Sequence, residues 1–293
     1  MIDHSTLPAG VLVGVDASPA TLGAVGWAAA EAARRHLPLD LVQVLPPSGR
    51  PHDETRSPSG RALALLDQAR HAAAAVAPGV PVRLSVVDGV TGPALVATGA
   101  QARLLVVGAR PSGGIADISV GRTVAHVMGR ATCPVVVVPP RWEPATEGPD
   151  GVLVGVDGSD EAEGAVAFAA DAADRRGAAL TALAVVPRGG ESDEDARRHL
   201  AEAMAGIGET RPDLVVHEVV GHGSASEELL RRARAGAGLV VVGSRGRGAV
   251  GGALLGSTSQ ELVRFSPCPV AVLPPAAAAA WAHPERTYAG EGS

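Results

Sequence analysis

The sequence predicts an α/β protein made of two tandem, open, five-stranded parallel sheets packed against each other as a pseudo-two-fold dimer. Three observations predict it. Val11-Leu-Val-Gly-Val-Asp16 returns unchanged as Val152-Leu-Val-Gly-Val-Asp157, 141 residues later, and a period that long repeats a whole domain. Short, nearly uninterrupted Val/Leu runs suit strands buried on both faces of a parallel sheet. The stretches between them carry apolar residues at three- and four-residue steps, the spacing of one helix face.

Taken in order, the first copy has strand candidates at 11–16, 39–45, 82–87, 104–108 and 135–138. The second has them at 152–157, 180–186, 214–220, 239–243 and 270–273. Between the first two of these, Ala162, Ala165, Val166, Ala169, Ala170 and Ala173 form a helical stripe. Strand, helix, strand in repetition gives right-handed crossovers and a Rossmann-like, doubly wound sheet. Cys133-Pro-Val matches Cys268-Pro-Val at an offset of 135, so the first copy holds six more residues upstream, expected in the Pro/Ser/Gly-rich stretch 46–60. The fifth strand of each copy is short, apolar and flanked by prolines. An exposed edge of that kind invites pairing, and the two copies can cover each other's edge around a pseudo-two-fold axis. The expected domains are 1–140 and 151–274, joined by a linker at 141–150 and followed by a loosely ordered, flexible tail at 275–293.

Composition narrows the function. The net charge is −6, aromatics are 2% of 293 residues, and all 25 basic residues are arginine. That disfavours nucleic-acid binding, which needs a basic face or a stacking platform. Without lysine there is no Schiff base and no P-loop lysine. Two cysteines outside any CxxC exclude a zinc site of the usual spacing. No apolar run reaches 18 residues and the first ten residues lack a leader-like pattern, so a cytoplasmic protein with no membrane association and reduced thiols is expected.

Ligands of open α/β sheets sit at the carboxyl ends of the strands. After the fourth strand of the second copy comes Gly243-Ser-Arg245-Gly246-Arg247, then nine residues from Gly246 on, then Gly256-Ser257-Thr258-Ser259 at a predicted helix start. Glycines bring backbone N–H groups close to a phosphate, a helix start adds free N–H groups and partial positive charge, and Arg245 and Arg247 supply formal charge. Asp157, after the first strand, is placed to accept from a ribose or to help hold a divalent metal, or alternatively to cap the turn.

With these residues the chain resembles the universal stress protein family, in its tandem two-domain form, over about 9–139 and 150–274. The resemblance rests on Gly-Val-Asp at 14–16 and 155–157, Val-Val-Gly-Ser-Arg-Gly at 241–246, Gly-Ser at 256–257 and Cys-Pro-Val at 133–135 and 268–270. It implies ATP as the ligand, with Mg as a possible companion near Asp157. It also implies a binding set of Gly155, Val156, Asp157, Val185, Val242, Gly243, Arg245, Gly246, Gly256, Ser257, Thr258 and Ser259. A dimer through the fifth strand is implied too, in agreement with the edge argument.

The first copy departs from the motif: Pro111 replaces the second glycine and Arg122 the hydroxyl residue. A weaker site there would use Asp16, Val44, Gly108, Arg110, Gly121 and Arg122; the preferred reading is a degenerate partner kept for packing. Other signals are read blandly. Ser112-Gly-Gly114 with Asp117 is a shortened glycine loop. The acidic run from Asp157 to Glu161 lacks the glycine and glutamate of a calcium loop. His126, His217 and His222 are solvated or satisfied histidines. The run 191–198 is a solvated helix face with start signals. Cys133 and Cys268 are buried inert thiols, with a redox pair as the alternative. The function expected is an ATP-binding regulatory protein acting through an unknown protein partner. It is not an enzyme beyond slow ATP hydrolysis, since no general base or activated nucleophile stands by the phosphates. Alternatives are a nucleotide-free scaffold and an adenylating or flavin-linked enzyme. Further pairing into a homodimer is left open.

Overall fold

The computed structural model describes residues 10–46, 58–109, 120–140, 142–143, 151–190, 192–247 and 255–283, with Pro58 and Ser59 by backbone alone. The first domain runs β1 (Val11–Gly14), α1 (Ala20–Arg35), β2 (Leu39–Leu45), α2 (Pro58–Val76), β3 (Val82–Asp88), α3 (Thr91–Thr98), β4 (Leu104–Gly108), α4 (Arg122–Arg130) and β5 (Val135–Val138). The second runs β6 (Gly151–Val156), α5 (Asp160–Arg176), β7 (Leu180–Val186), α6 (Asp193–Met204), α7 (Ile207–Thr210), β8 (Val216–His222), α8 (Ala225–Arg234), β9 (Ala237–Gly243), α9 (Ser257–Phe265), β10 (Val270–Leu273) and α10 (Pro275–Ala282). Twelve residues separate β2 from α2, against six between β7 and α6, so the six-residue excess falls at the proline-rich stretch.

The strands form one ten-stranded sheet in the order β3-β2-β1-β4-β5-β10-β9-β6-β7-β8. All pairs are parallel except β5 with β10, which run antiparallel with Val137 opposite Val270 and Val135 opposite Val272. The two fifth strands therefore do cover each other, and the two expected sheets are halves of a single one. Both faces are dry, as the continuous apolar runs require. One face packs Val11, Val13, Val152 and Val154 under α1, α2, α5 and α6. The other packs Leu12, Leu153, Val240 and Val270 with residues of α4, α8 and α9.

Strand edges differ locally from the sequence reading. β8 starts at Val216, because the Leu214 amide turns back to Arg211 O at 3.2 Å. β9 starts at Ala237, across a bulge at Gly151 and Val152. The tail is a larger correction. Residues 275–282 form α10, started by Pro275 at a position where its missing N–H costs nothing. Ala277 and Ala278 are buried. A Cβ on Gly164 of α5 would collide with the Ala278 backbone, so glycine lets the helices touch. Trp281 meets Phe168 edge to face, centroids 5.0 Å apart, and Arg103 of the first domain lies 4.1 Å over the Trp281 ring. An alanine run gains little per residue, but an apolar groove and an aromatic anchor suffice to fix it. Residues 284–293, and most of the linker, lie outside the described residues.

The domains are also clamped by charge. Glu31 of α1 is fully buried and accepts from Arg35 and, across the domains, from Arg176 of α5, each at 2.6 Å. Arg35 reaches Asp171 of α5 at 2.6 Å. Arg35 and Arg176 are equivalent in the repeat; the first lies 5.5 Å over Phe168 and the second 5.8 Å over Trp27, itself the equivalent of Phe168. Burial works against the Glu31 charge, but the Arg176 and Arg35 guanidiniums outweigh it and hold its carboxyl below the usual range.

Cys133 and Cys268 are both buried. Each precedes its strand by two residues, and the strands are antiparallel, so the thiols stand at opposite ends of the pair. Extending the register puts Cys133 opposite Pro274, about 20 Å from Cys268 at the usual rise per residue. The redox-pair alternative is thereby overturned. Burial pushes the Cys133 thiol up to about 12.

Candidate functional site

In the second domain β6 leads to β7 and β8 on one side, whereas β9 and β10 lie on the other. The strand order reverses at β6 and β9, and a crevice opens there at the carboxyl ends. It is a cleft of about 710 Å³, within the range of small-ligand sites. All twelve residues expected from the sequence line it: Gly155, Val156 and Asp157 from the end of β6, Val185 from β7, Val242 and Gly243 from β9, Arg245 and Gly246 from the following loop, and Gly256, Ser257, Thr258 and Ser259 from the start of α9.

The glycines are explained by what a side chain would strike. A Cβ on Gly246 would fall onto the Asp157 carboxylate. On Gly243 it would lie 2.9 Å from the Glu161 Cβ and from Arg245 O. Asp157 is a clasp between two loops. Its Oδ1 accepts from the Ser159 N–H at 3.1 Å and the Ser159 hydroxyl at 2.6 Å, while Oδ2 accepts from the Arg247 N–H at 3.1 Å. The capping alternative weighed for Asp157 takes another form: it closes the turn before α5 by bonding Ser159, the N-cap residue, instead of capping the helix itself, and it does so while lining the cleft. Ser159 takes the N-cap position of α5 without a side-chain cap bond. Ser192 and Asp195 form a full capping box at α6, so the start signals read in the run 191–198 do open a helix.

The hydroxyls divide. Ser257 is exposed and Thr258 half-exposed at the first turn of α9, where backbone N–H groups lack helical partners. Ser259 is buried and donates to Gly256 O at 2.9 Å and Ser244 O at 3.2 Å, which holds the motif's two ends together. The Gly256 N–H adds a bond to Ser244 O at 2.7 Å. The Ser244 hydroxyl is buried with no hydrogen-bond partner; its counterpart in the first copy is Ala109. An apolar wall of Leu183, Val185, Leu229 and Val242 faces the polar rim. The sequence reading missed Leu229, Ala225, Ser244 and His199. His199 projects from α6 over Gly158, whose φ of +72° and closeness to the ring both call for glycine. Only its helical spacing from Ala196, another lining residue, hinted at this.

In the first domain Asp16 ends the β1 turn, and its carboxylate accepts from the Ser18 N–H at 2.9 Å and the Thr21 hydroxyl at 2.7 Å. Val44 lies in β2, Gly108 ends β4, and Gly121 and Arg122 open α4. Arg110, Pro111 and the 112–117 segment lie outside the described residues. His222 is exposed and bonded to Asp193 at 2.8 Å, and His126 packs against Gly92. No cluster of three or more metal-ligating side chains occurs among the described residues. No described helix is long and apolar enough to cross a membrane.

A family model described as the universal stress protein family matches residues 10–139 and again 150–274. The chain belongs to this family. Members similar to it end to end include a universal stress protein of Mycolicibacterium smegmatis, 35% identical with 91% of this chain and 97% of that one covered. Another, from Mycobacterium tuberculosis, is 34% identical with 90% and 95% covered. The crystal structure of a universal stress protein from Archaeoglobus fulgidus superposes with a TM-score of 0.72 at 21% identity, covering 90% of this chain and 98% of that one. The tandem arrangement is thus shared at the level of fold.

Proposed function

We propose that the second domain binds ATP and that occupancy of its cleft is read by a protein partner, while the first domain serves mainly as a packed companion. The observation that carries this reading is convergence. Residues picked from three separate sequence segments, 155–157, 242–246 and 256–259, line one cleft at the switch point. The polar rim suits phosphates: the loop around Gly246, the open first turn of α9 and Arg245 all line the cleft. The apolar wall at Val185 and Leu229 suits a planar base. Asp157 is a single carboxylate already accepting three hydrogen bonds; a Mg ion would take most of its ligands from the nucleotide's own phosphates, whose charge it would neutralise.

The test is identification by mass spectrometry of any small molecule released on denaturing freshly purified protein, paired with a thermal-shift titration. About one equivalent of adenine nucleotide per chain is expected, and Gly246→Pro should empty the site. Two equivalents would mean that the first domain binds as well, despite Pro111 and Arg122. No released nucleotide and no shift with ATP would overturn the reading in favour of a nucleotide-free scaffold.

A further inference from the structure

We infer that Glu161 is a resident competitor for the nucleotide's phosphates and sets the affinity of the cleft. This rests on the nucleotide reading above. Arg245 lines the phosphate side, and its Nη2 lies 3.5 Å from Glu161 Oε1. That is a single contact, longer than the 2.7–2.9 Å of a charge-assisted hydrogen bond. Its side chains are 39% and 19% exposed, so the pair is loose enough to open toward an incoming anion. Glu161 cannot drift away, because its Cβ is packed where the motif's first glycine permits no side chain.

The repeat supplies an internal comparison. In the first copy the same close approach is made by Gly108, whose added Cβ would lie 3.0 Å from the Cβ of Ala20, the residue equivalent to Glu161. Alanine therefore satisfies the packing, and the fold does not require a carboxylate there. The arginine is kept in both copies, as Arg110 and Arg245, but the carboxylate stands only where the glycine motif is complete.

Charge counting gives the consequence. Arg245 and Arg247 line the cleft with Asp157, and residues 248–256 add no charged side chain. With Glu161 included, two arginines face two carboxylates, and the rim is formally neutral. A polyphosphate must take Arg245 from Glu161 before it gains the full attraction. Binding is weakened most for the most highly charged nucleotide, so occupancy follows concentration instead of saturating early.

The test is calorimetric titration of the full chain with ATP, ADP and AMP, for the wild type, Glu161→Gln, Arg245→Gln and the double variant. Glu161→Gln is expected to tighten ATP about twofold to fivefold and AMP less, by under about 1.5-fold. The gain should shrink at about 0.5 M salt and vanish in the Arg245→Gln background. ATP affinity that is unchanged or weaker in Glu161→Gln, or an equal gain without Arg245, would overturn the inference while leaving the nucleotide reading intact. If neither the wild type nor Glu161→Gln binds any of the three, the nucleotide reading itself falls and takes this inference with it.

Discussion

Replacing Gly246 by alanine isolates the contribution of one hydrogen atom to the cleft. The backbone at 246 lies outside the left-handed region, so alanine meets no conformational penalty there and the effect is purely steric. The added Cβ would fall onto Asp157 Oδ2, the oxygen that accepts from the Arg247 N–H. The carboxylate is anchored through Oδ1 to Ser159, so the yielding partner is the loop and the Arg247 bond is lost. A hydrogen bond to a charged group contributes about 1.5–3 kcal/mol. On the proposed nucleotide reading the loop then leaves the orientation that would present its N–H groups to phosphate, and ATP affinity should fall roughly tenfold to 150-fold. Melting temperature should fall too, by about 2–4 °C for each kcal/mol of that bond lost, because the bond is made within the fold itself. Gly121→Ala in the first domain, at the counterpart of Gly256, is a steric control, since among the described residues nothing lies within 4 Å of its added Cβ. Isothermal titration with ATP, alongside scanning calorimetry of the same samples, makes the measurement. Affinity of Gly246→Ala within twofold of the wild type would refute the argument that Asp157 and the loop are sterically coupled.

Two further outcomes are expected. Glu31→Gln leaves Arg35 and Arg176 buried without their shared carboxylate, at a cost of about 3–5 kcal/mol, or roughly 6–15 °C in melting temperature. The depressed carboxyls of Glu31 and Asp171 stabilise the fold above the ordinary carboxylate range, and that contribution is lost as pH falls through it toward the native values. The acid limb of the stability profile should therefore flatten in Glu31→Gln; a parallel profile would contradict the assignment. The native protein should resist an aromatic disulfide reagent and release two thiols only on unfolding, because Cys133 and Cys268 are buried; rapid modification of either in the native state would contradict the burial.

Much of this arrangement is written locally. Uninterrupted Val/Leu runs specify doubly buried strands without reference to anything distant, and the repeat reveals the domain copy and the exposed edges that must pair. The glycine motif is legible because what it demands is an absence of side chain at fixed spacing, where a Cβ on Gly243 or Gly246 would strike Glu161 or Asp157. What escapes the sequence depends on distant partners. Leu229 and His199 reach the cleft from helices whose outward pattern is ordinary. Glu161 reads as a helix-start acid until Arg245, 84 residues away, is placed beside it. The alanine run of α10 lacks any amphipathic signal of its own, and only the groove at Gly164 and the ring of Phe168 give it a place. The charge clamp is hidden for the same reason: Glu31 and Arg35 look like a solvated pair one helical turn apart, and α5 is what buries them.

The antiparallel seam of β5 and β10 has a bearing on how the two halves can change. In a dimer of separate identical chains, any substitution enters both clefts at once. Here the seam lies within one chain, so each half is held to its neighbour at a fixed effective concentration whatever the amount of protein present, and the halves are free to drift apart. Pro111, Arg122, Ala20 and Ala109 record that drift on one side, against Gly246, Ser257, Glu161 and Ser244 on the other. One half can lose the glycine motif and still furnish the other with a covered edge, a buried counter-charge and a seat for Trp281. Joining the copies has turned a symmetric pair into two unequal halves, one keeping the complete glycine motif and the other packed against it.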